Sequence, residues 1–81
     1  MEFEPFVAML LGQLGIEAEG PVEPSTGLFD DLGIDSFQAF QMLIVIESAA
    51  DLLVPPPYLP EMFTVGDAYE YYREARRLAT A

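Results

Sequence analysis

With 81 residues, no cysteine and no histidine, the chain lacks both a disulfide staple and the ligands or bases of zinc, haem and Cys–His sites. Fourteen acids face three bases, Arg73, Arg76 and Arg77, giving a net charge of −11 and leaving residues 1–72 without a single base. Nucleic acid and anionic membranes are thereby excluded as partners, because both need Lys or Arg to neutralise phosphate. A hydrophobic content of 52% argues against disorder and is enough for one small domain over residues 1–81.

The N-terminus is acidic where a signal peptide is basic. The longest aliphatic run, Met42 to Ile46, is far short of the roughly 20 residues that span a bilayer. A soluble, cytoplasmic chain is expected. Its first helix is placed over residues 4–14, with Pro5 at the first helical position, where a missing N–H costs nothing. Val7, Leu10, Leu11 and Leu14 recur at helical spacing, and Gly15 supplies a stop. Gly12 inside that run costs roughly 0.5–1 kcal/mol relative to alanine.

Residues 15–35 read as a long connection. Gly20, Pro21, Pro24, Ser25 and Gly27 punctuate it, and no periodicity survives. A loop of this length is unusual in a small fold unless something pins it. Leu28, Phe29 and Leu32 are spaced so that one helical turn would carry all three side chains into the core.

Asp35 or Ser36 caps the second helix, which is expected to run to about Ala50. Met42, Leu43, Ile46 and Ala50, with Ala39 a turn earlier, form one apolar stripe. Phe37, Phe40, Ile44 and Glu47, flanked by Gln38 and Gln41, form a second face. A helix apolar on two sides is either fully buried or docks onto something, and full burial is hard to arrange in so short a chain. Pro55, Pro56, Pro57 and Pro60 then forbid regular structure, leaving room for one short turn near 58–63. Thr64 with Asp67 makes a capping-box-like pair for the last helix, whose inward stripe is Val65, Ala68, Tyr69, Tyr72 and Ala75. No strand and no internal repeat is evident.

Ser36 is the candidate functional residue. On local rules alone, a serine after Asp35 is an ordinary helix cap. A nucleophilic serine needs a base, and neither histidine nor lysine is present, so hydrolase chemistry is excluded. Asp30, Asp31 and Asp35 fail as a calcium loop, because Leu32 or Gly33 falls at a ligand position and Met42 where a closing glutamate belongs. No substrate cleft for paired-carboxylate chemistry is indicated either. A phosphate attached at a helix start, by contrast, suits the free N–H groups and the dipole found there.

The stretch Leu28-Phe29-Asp30-Asp31-Leu32-Gly33-Ile34-Asp35-Ser36 resembles the attachment motif of acyl carrier proteins. Val54-Pro55 and Thr64-Val65 fall where that family has similar pairs. The resemblance implies an all-α four-helix bundle, with three main helices, a short third helix near 58–63 and a long loop between the first two. It implies no catalysis by the chain itself. A phosphopantetheinyl transferase would attach 4′-phosphopantetheine to Ser36, beside Asp35, and the arm's thiol would hold an acyl or aminoacyl group as a thioester.

The chain also departs from the family pattern. Fatty-acid-type carriers place acids along the second helix, whereas Gln38, Gln41 and Ser48 stand here and only Glu47 remains. Phe37 replaces the usual leucine, and Pro56, Pro57 and Pro60 interrupt the third-helix region. A stand-alone, monomeric carrier of a bacterial polyketide or polyketide–peptide pathway is expected, making a specialised metabolite such as an antibiotic. Acyltransferases, adenylating ligases or synthase enzymes would then dock on Phe37, Gln38, Phe40, Gln41, Ile44 and Glu47. An aminoacyl or peptidyl carrier is the alternative, and an unmodified acidic interaction domain is a further one.

Overall fold

A computed structural model describes residues 1–81 and contains three helices: α1 (Phe3–Leu14), α2 (Ser36–Ala49) and α3 (Val65–Ala79). Each packs against the other two. None is long and apolar enough to cross a membrane.

Helix α1 starts two residues before Pro5, which therefore sits in the first turn rather than at the first position. Gly15 ends the helix in the left-handed conformation at φ 69°, with Gly15 N–H donating to the Gly12 carbonyl and Ile16 N–H to that of Leu11. The inward stripe is Phe6, Val7, Leu10, Leu11 and Leu14. Phe6 extends the expected set. Its ring lies 5.3 Å from that of Tyr69 and 5.4 Å from that of Tyr72, in tilted arrangements favoured by aromatic quadrupoles.

Helix α3 is closed by a full capping box. Asp67 N–H donates to Thr64 Oγ1 at 3.0 Å, and the Asp67 carboxylate accepts the Thr64 N–H at 3.1 Å and the Phe63 N–H at 2.9 Å. Those backbone donors, Phe63 first and then Thr64, hold the Asp67 carboxyl below its usual range. Val65, Ala68, Tyr71, Tyr72 and Ala75 are buried. Tyr71 takes the fully inward position that the spacing assigned to Tyr69. Tyr69 is only half-buried and stands edge-on to Phe3 at 5.5 Å.

The long connection is pinned by hydrogen bonds as well as by the core. Pro24 to Leu28 runs antiparallel to Phe63–Gly66, with Leu28 N–H donating to the Phe63 carbonyl, Val65 N–H to that of Thr26 and Gly66 N–H to that of Pro24, each at 2.9 Å. Glycine is required at 66, since a β-carbon there would stand 2.9 Å from the Pro24 carbonyl oxygen. The turn over 28–32 forms, but it turns only one residue fully inward. Leu28 is completely buried, Leu32 is half-buried, and Phe29 is 43% exposed, contrary to the expectation that all three enter the core. A single turn has one inner side, and Phe29 lies off it. Ile34, two residues before the serine, is buried instead.

The short helix expected near 58–63 is absent. Pro60 removes a backbone donor, its ring would collide with the carbonyl four residues earlier, and it disfavours helical geometry at Leu59. From Leu53 to Met62 the backbone makes no hydrogen bond with other backbone groups, so this strap is held by the packing of side chains such as Leu52 and Met62. The non-proline amides of residues 53–62 are therefore expected to exchange with deuterium at near-unprotected rates, while the Leu28 and Val65 amides stay protected. Mass-resolved exchange read by peptide or by NMR checks this.

Candidate functional site at the start of helix α2

Two adjacent residues are able to cap α2, and the geometry chooses Asp35. Gln38 N–H donates to Asp35 Oδ1 at 2.7 Å, and Asp35 N–H donates back to Gln38 Oε1 at 3.2 Å. Ser36 is thus the first helical residue rather than the cap, with an exposed side chain and no hydrogen bond to protein. The Ser36 and Phe37 N–H groups likewise have no protein acceptor, so the positive end of the helix is open at the serine.

The approach to Ser36 is also fixed by structure. Gly33 takes φ 69°, a conformation that strains other residues, and lets the chain reverse between the 28–32 turn and the cap. Ile34 N–H donates to the Leu28 carbonyl at 3.1 Å, and Asp31 accepts the Gly27 N–H at 2.6 Å. Asp31 is thereby a loop clamp.

Beside Ser36 lies an apolar groove of about 300 Å³, walled by Phe29, Ala39, Phe40, Leu43, Leu59 and Met62. The walls come from the loop, from α2 and from the strap. Phe29, Leu59 and Met62 carry no sequence signal for this role, because no local pattern reveals that three distant segments converge. A larger groove of about 500 Å³ lies between residues 51–58 and the end of α3. Its carboxylates, Asp51 and Glu74, are paired with Arg76 and Arg77.

The two-sided reading of α2 resolves cleanly. Met42, Ile46 and Ala50 are buried and Ala39 and Leu43 are half-buried, forming the core side. Phe37, Phe40 and Ile44 are 69%, 63% and 54% exposed, and Gln41 is exposed beside them. Gln38 is held in the capping box. Glu47 is turned inward, where its carboxylate accepts the Tyr71 hydroxyl at 2.5 Å. Burial first, and then that hydrogen bond, push the Tyr71 phenol well above its ordinary value of 10.0. A raised native value means that the neutral phenol stabilises the fold. The contribution is whole below about pH 10 and is lost as pH climbs from there through the native value. Tyr71→Phe is accordingly expected to cost about 1–3 kcal/mol in urea unfolding at pH 7 and to flatten the alkaline fall in stability.

At the other end of α2, Arg76 donates to the Ala50 carbonyl at 3.2 Å and to Asp51 at 3.4 Å. All three arginines make ion pairs within the chain, Arg73 with Glu70, Arg76 with Asp51 and Arg77 with Glu74.

The architecture defines a class: a small helical domain presenting one exposed serine at an open helix start. Over residues 4–72 the sequence matches the protein family described as "Phosphopantetheine attachment site", and the chain belongs to that family. Domains of this family are the site of covalent attachment of 4′-phosphopantetheine to a serine, and the chain is a phosphopantetheine-bearing carrier protein. No solved structure matches the chain. The residues present fit the group. Ser36 offers an unencumbered hydroxyl, and the free N–H groups of Ser36 and Phe37 suit a phosphodiester.

Proposed function

We propose that Ser36 is the attachment serine and that the chain is an acyl carrier protein of a bacterial specialised pathway, of polyketide or polyketide–peptide type. The observation that carries this reading is the division of labour at the helix start: Asp35 caps, and Ser36 is left exposed with nothing else to do. In the loading reaction the Ser36 oxygen attacks the phosphorus on the pantetheine side of the coenzyme A pyrophosphate. A P–O bond to serine forms, the pyrophosphate P–O bond breaks, and adenosine 3′,5′-bisphosphate leaves. The chain has no histidine or lysine to accept the serine proton, so the phosphopantetheinyl transferase takes it. Once bound, the arm supplies a thiol that holds an acyl group as a thioester.

The aspartate at 35 favours acyl over aminoacyl cargo, following the family likeness. Loading falls to an acyltransferase or adenylating ligase, and use of the cargo to synthase enzymes. Phe37, Phe40, Gln41 and Ile44 form the docking face, with Gln38 and Glu47 shaping it from within. The charge of −11 opposes self-association and favours a monomer, and the chain works as one carrier domain in the cytoplasm. The test is intact mass after incubation with coenzyme A and a broad-range phosphopantetheinyl transferase. One phosphopantetheine is expected on the wild-type chain and none on Ser36→Ala; an unmodified wild type overturns the assignment.

A further inference from the structure

Four acids lie between Leu28 and Ala50, and three of them already accept hydrogen bonds from within the chain. Asp31 accepts the Gly27 N–H, Asp35 the Gln38 N–H and Glu47 the Tyr71 hydroxyl. Asp30 alone has no partner. The groove that reaches Ser36 is walled by large exposed apolar side chains, Phe29 from the loop, Phe40 from α2 and Leu59 from the strap, while Asp30, Asp31 and Asp35 are exposed nearby. The strap from Leu53 to Met62 carries one charge, the exposed Glu61, in a chain with fourteen acids.

We propose that enzymes acting at Ser36 seat an uncharged apolar collar on Phe29, Phe40 and Leu59, so that docking is driven by burial of these side chains and not by ion pairing. The inference rests on Ser36 being the attachment serine. An enzyme that reaches the Ser36 oxygen, or an arm attached to it, comes over this groove and covers its walls. A basic patch arriving there would meet only exposed carboxylates, Asp30, Asp31, Asp35 and Glu61, and ion pairs in full solvent gain little. An apolar collar instead removes three exposed side chains from water at once. The strap is the new element here: Leu59 stands 83% exposed on a backbone segment without hydrogen bonds, and no packing demand of the fold explains it.

The transferase is the first enzyme to meet the serine and serves as the probe. Initial rates of modification with coenzyme A are measured against carrier concentration, from about 0.05 M to about 0.5 M NaCl, a range that takes the screening length from above 10 Å to near 4 Å. The KM for the wild-type carrier is expected to hold within about twofold across that range, and Asp30→Asn is expected to leave it unchanged. Leu59→Ser and Phe40→Ser are each expected to raise KM about tenfold with kcat held, on chains whose circular dichroism is unaltered. A KM that climbs about tenfold with salt, or that ignores Leu59→Ser, overturns the collar and leaves the Ser36 assignment standing. A wild-type chain that takes no phosphopantetheine at any salt removes the assignment itself, and the collar with it.

Discussion

Ser36→Ala is expected to abolish phosphopantetheine attachment completely while leaving the unfolding midpoint almost unmoved. The combination is informative because the two roles open to a serine at this point have opposite signatures. Were Ser36 the cap of α2, alanine would cost about 1 kcal/mol of stability. Asp35 holds that role, with its carboxylate on the Gln38 N–H, and alanine at a first helical position is well tolerated. The stability change should therefore stay within about 0.5 kcal/mol. Asp35→Ala is the mirror experiment: it removes the cap, costs about 1 kcal/mol and leaves the hydroxyl in place. Modification by a transferase should slow in that variant as the helix start frays, without disappearing. Ser25 and Ser48 give no substitute, since Ser25 lies in the long loop and Ser48 near the far end of α2, and neither stands at a helix start. Intact mass and urea unfolding of the three proteins separate the roles.

The second large effect is expected at Leu28. This residue is fully buried although it belongs to a loop, and its backbone is held at both polar groups, N–H to the Phe63 carbonyl and C=O from the Ile34 N–H. Truncation to alanine removes most of a buried side chain in a place that hydrogen bonds keep from collapsing, which costs about 2–5 kcal/mol. A chain of 81 residues has a total stability of about 4–12 kcal/mol, so the variant should be close to unfolding or lose a large fraction of its stability. Its neighbour Phe29, the larger side chain, is 43% exposed, and Phe29→Ala should cost less than half as much. Denaturant midpoints for the pair decide the matter. Equal losses would mean that both rings of contacts pin the loop, as the spacing alone suggests.

Leu28 also links stability to function. The same turn that buries it leads through Gly33 and Ile34 directly to Asp35 and Ser36, so the serine is positioned by a core contact eight residues away. Loosening that contact is expected to lower modification efficiency even where the hydroxyl is intact.

Much of this molecule was legible from its residues, wherever the controlling chemistry is local. The stop of α1 at Gly15, the capping box of Thr64 and Asp67, and the core side of α2 all follow from interactions spanning three or four residues, and all stand as read. The choice of Asp35 over Ser36 as cap was also within reach, because Gln38 three residues on completes the pair with Asp35. Other features were not legible, since they depend on segments far apart in the chain. The strap formed no helix, because proline chemistry at Pro60 outweighed the pattern carried over from the family likeness. Tyr71 rather than Tyr69 is fully buried, and its hydroxyl finds its acceptor on Glu47 of α2, a partner 24 residues away. Phe29 turned outward because Leu28 and Ile34 filled the inner side of the turn. The sequence by itself determined that a serine would stand at the start of an apolar helix on an acidic chain. Only the tertiary structure decided that Glu47 turns inward to Tyr71 and that a loop and a proline strap wall a groove beside the serine, since each of these is a contact between residues that no local periodicity connects.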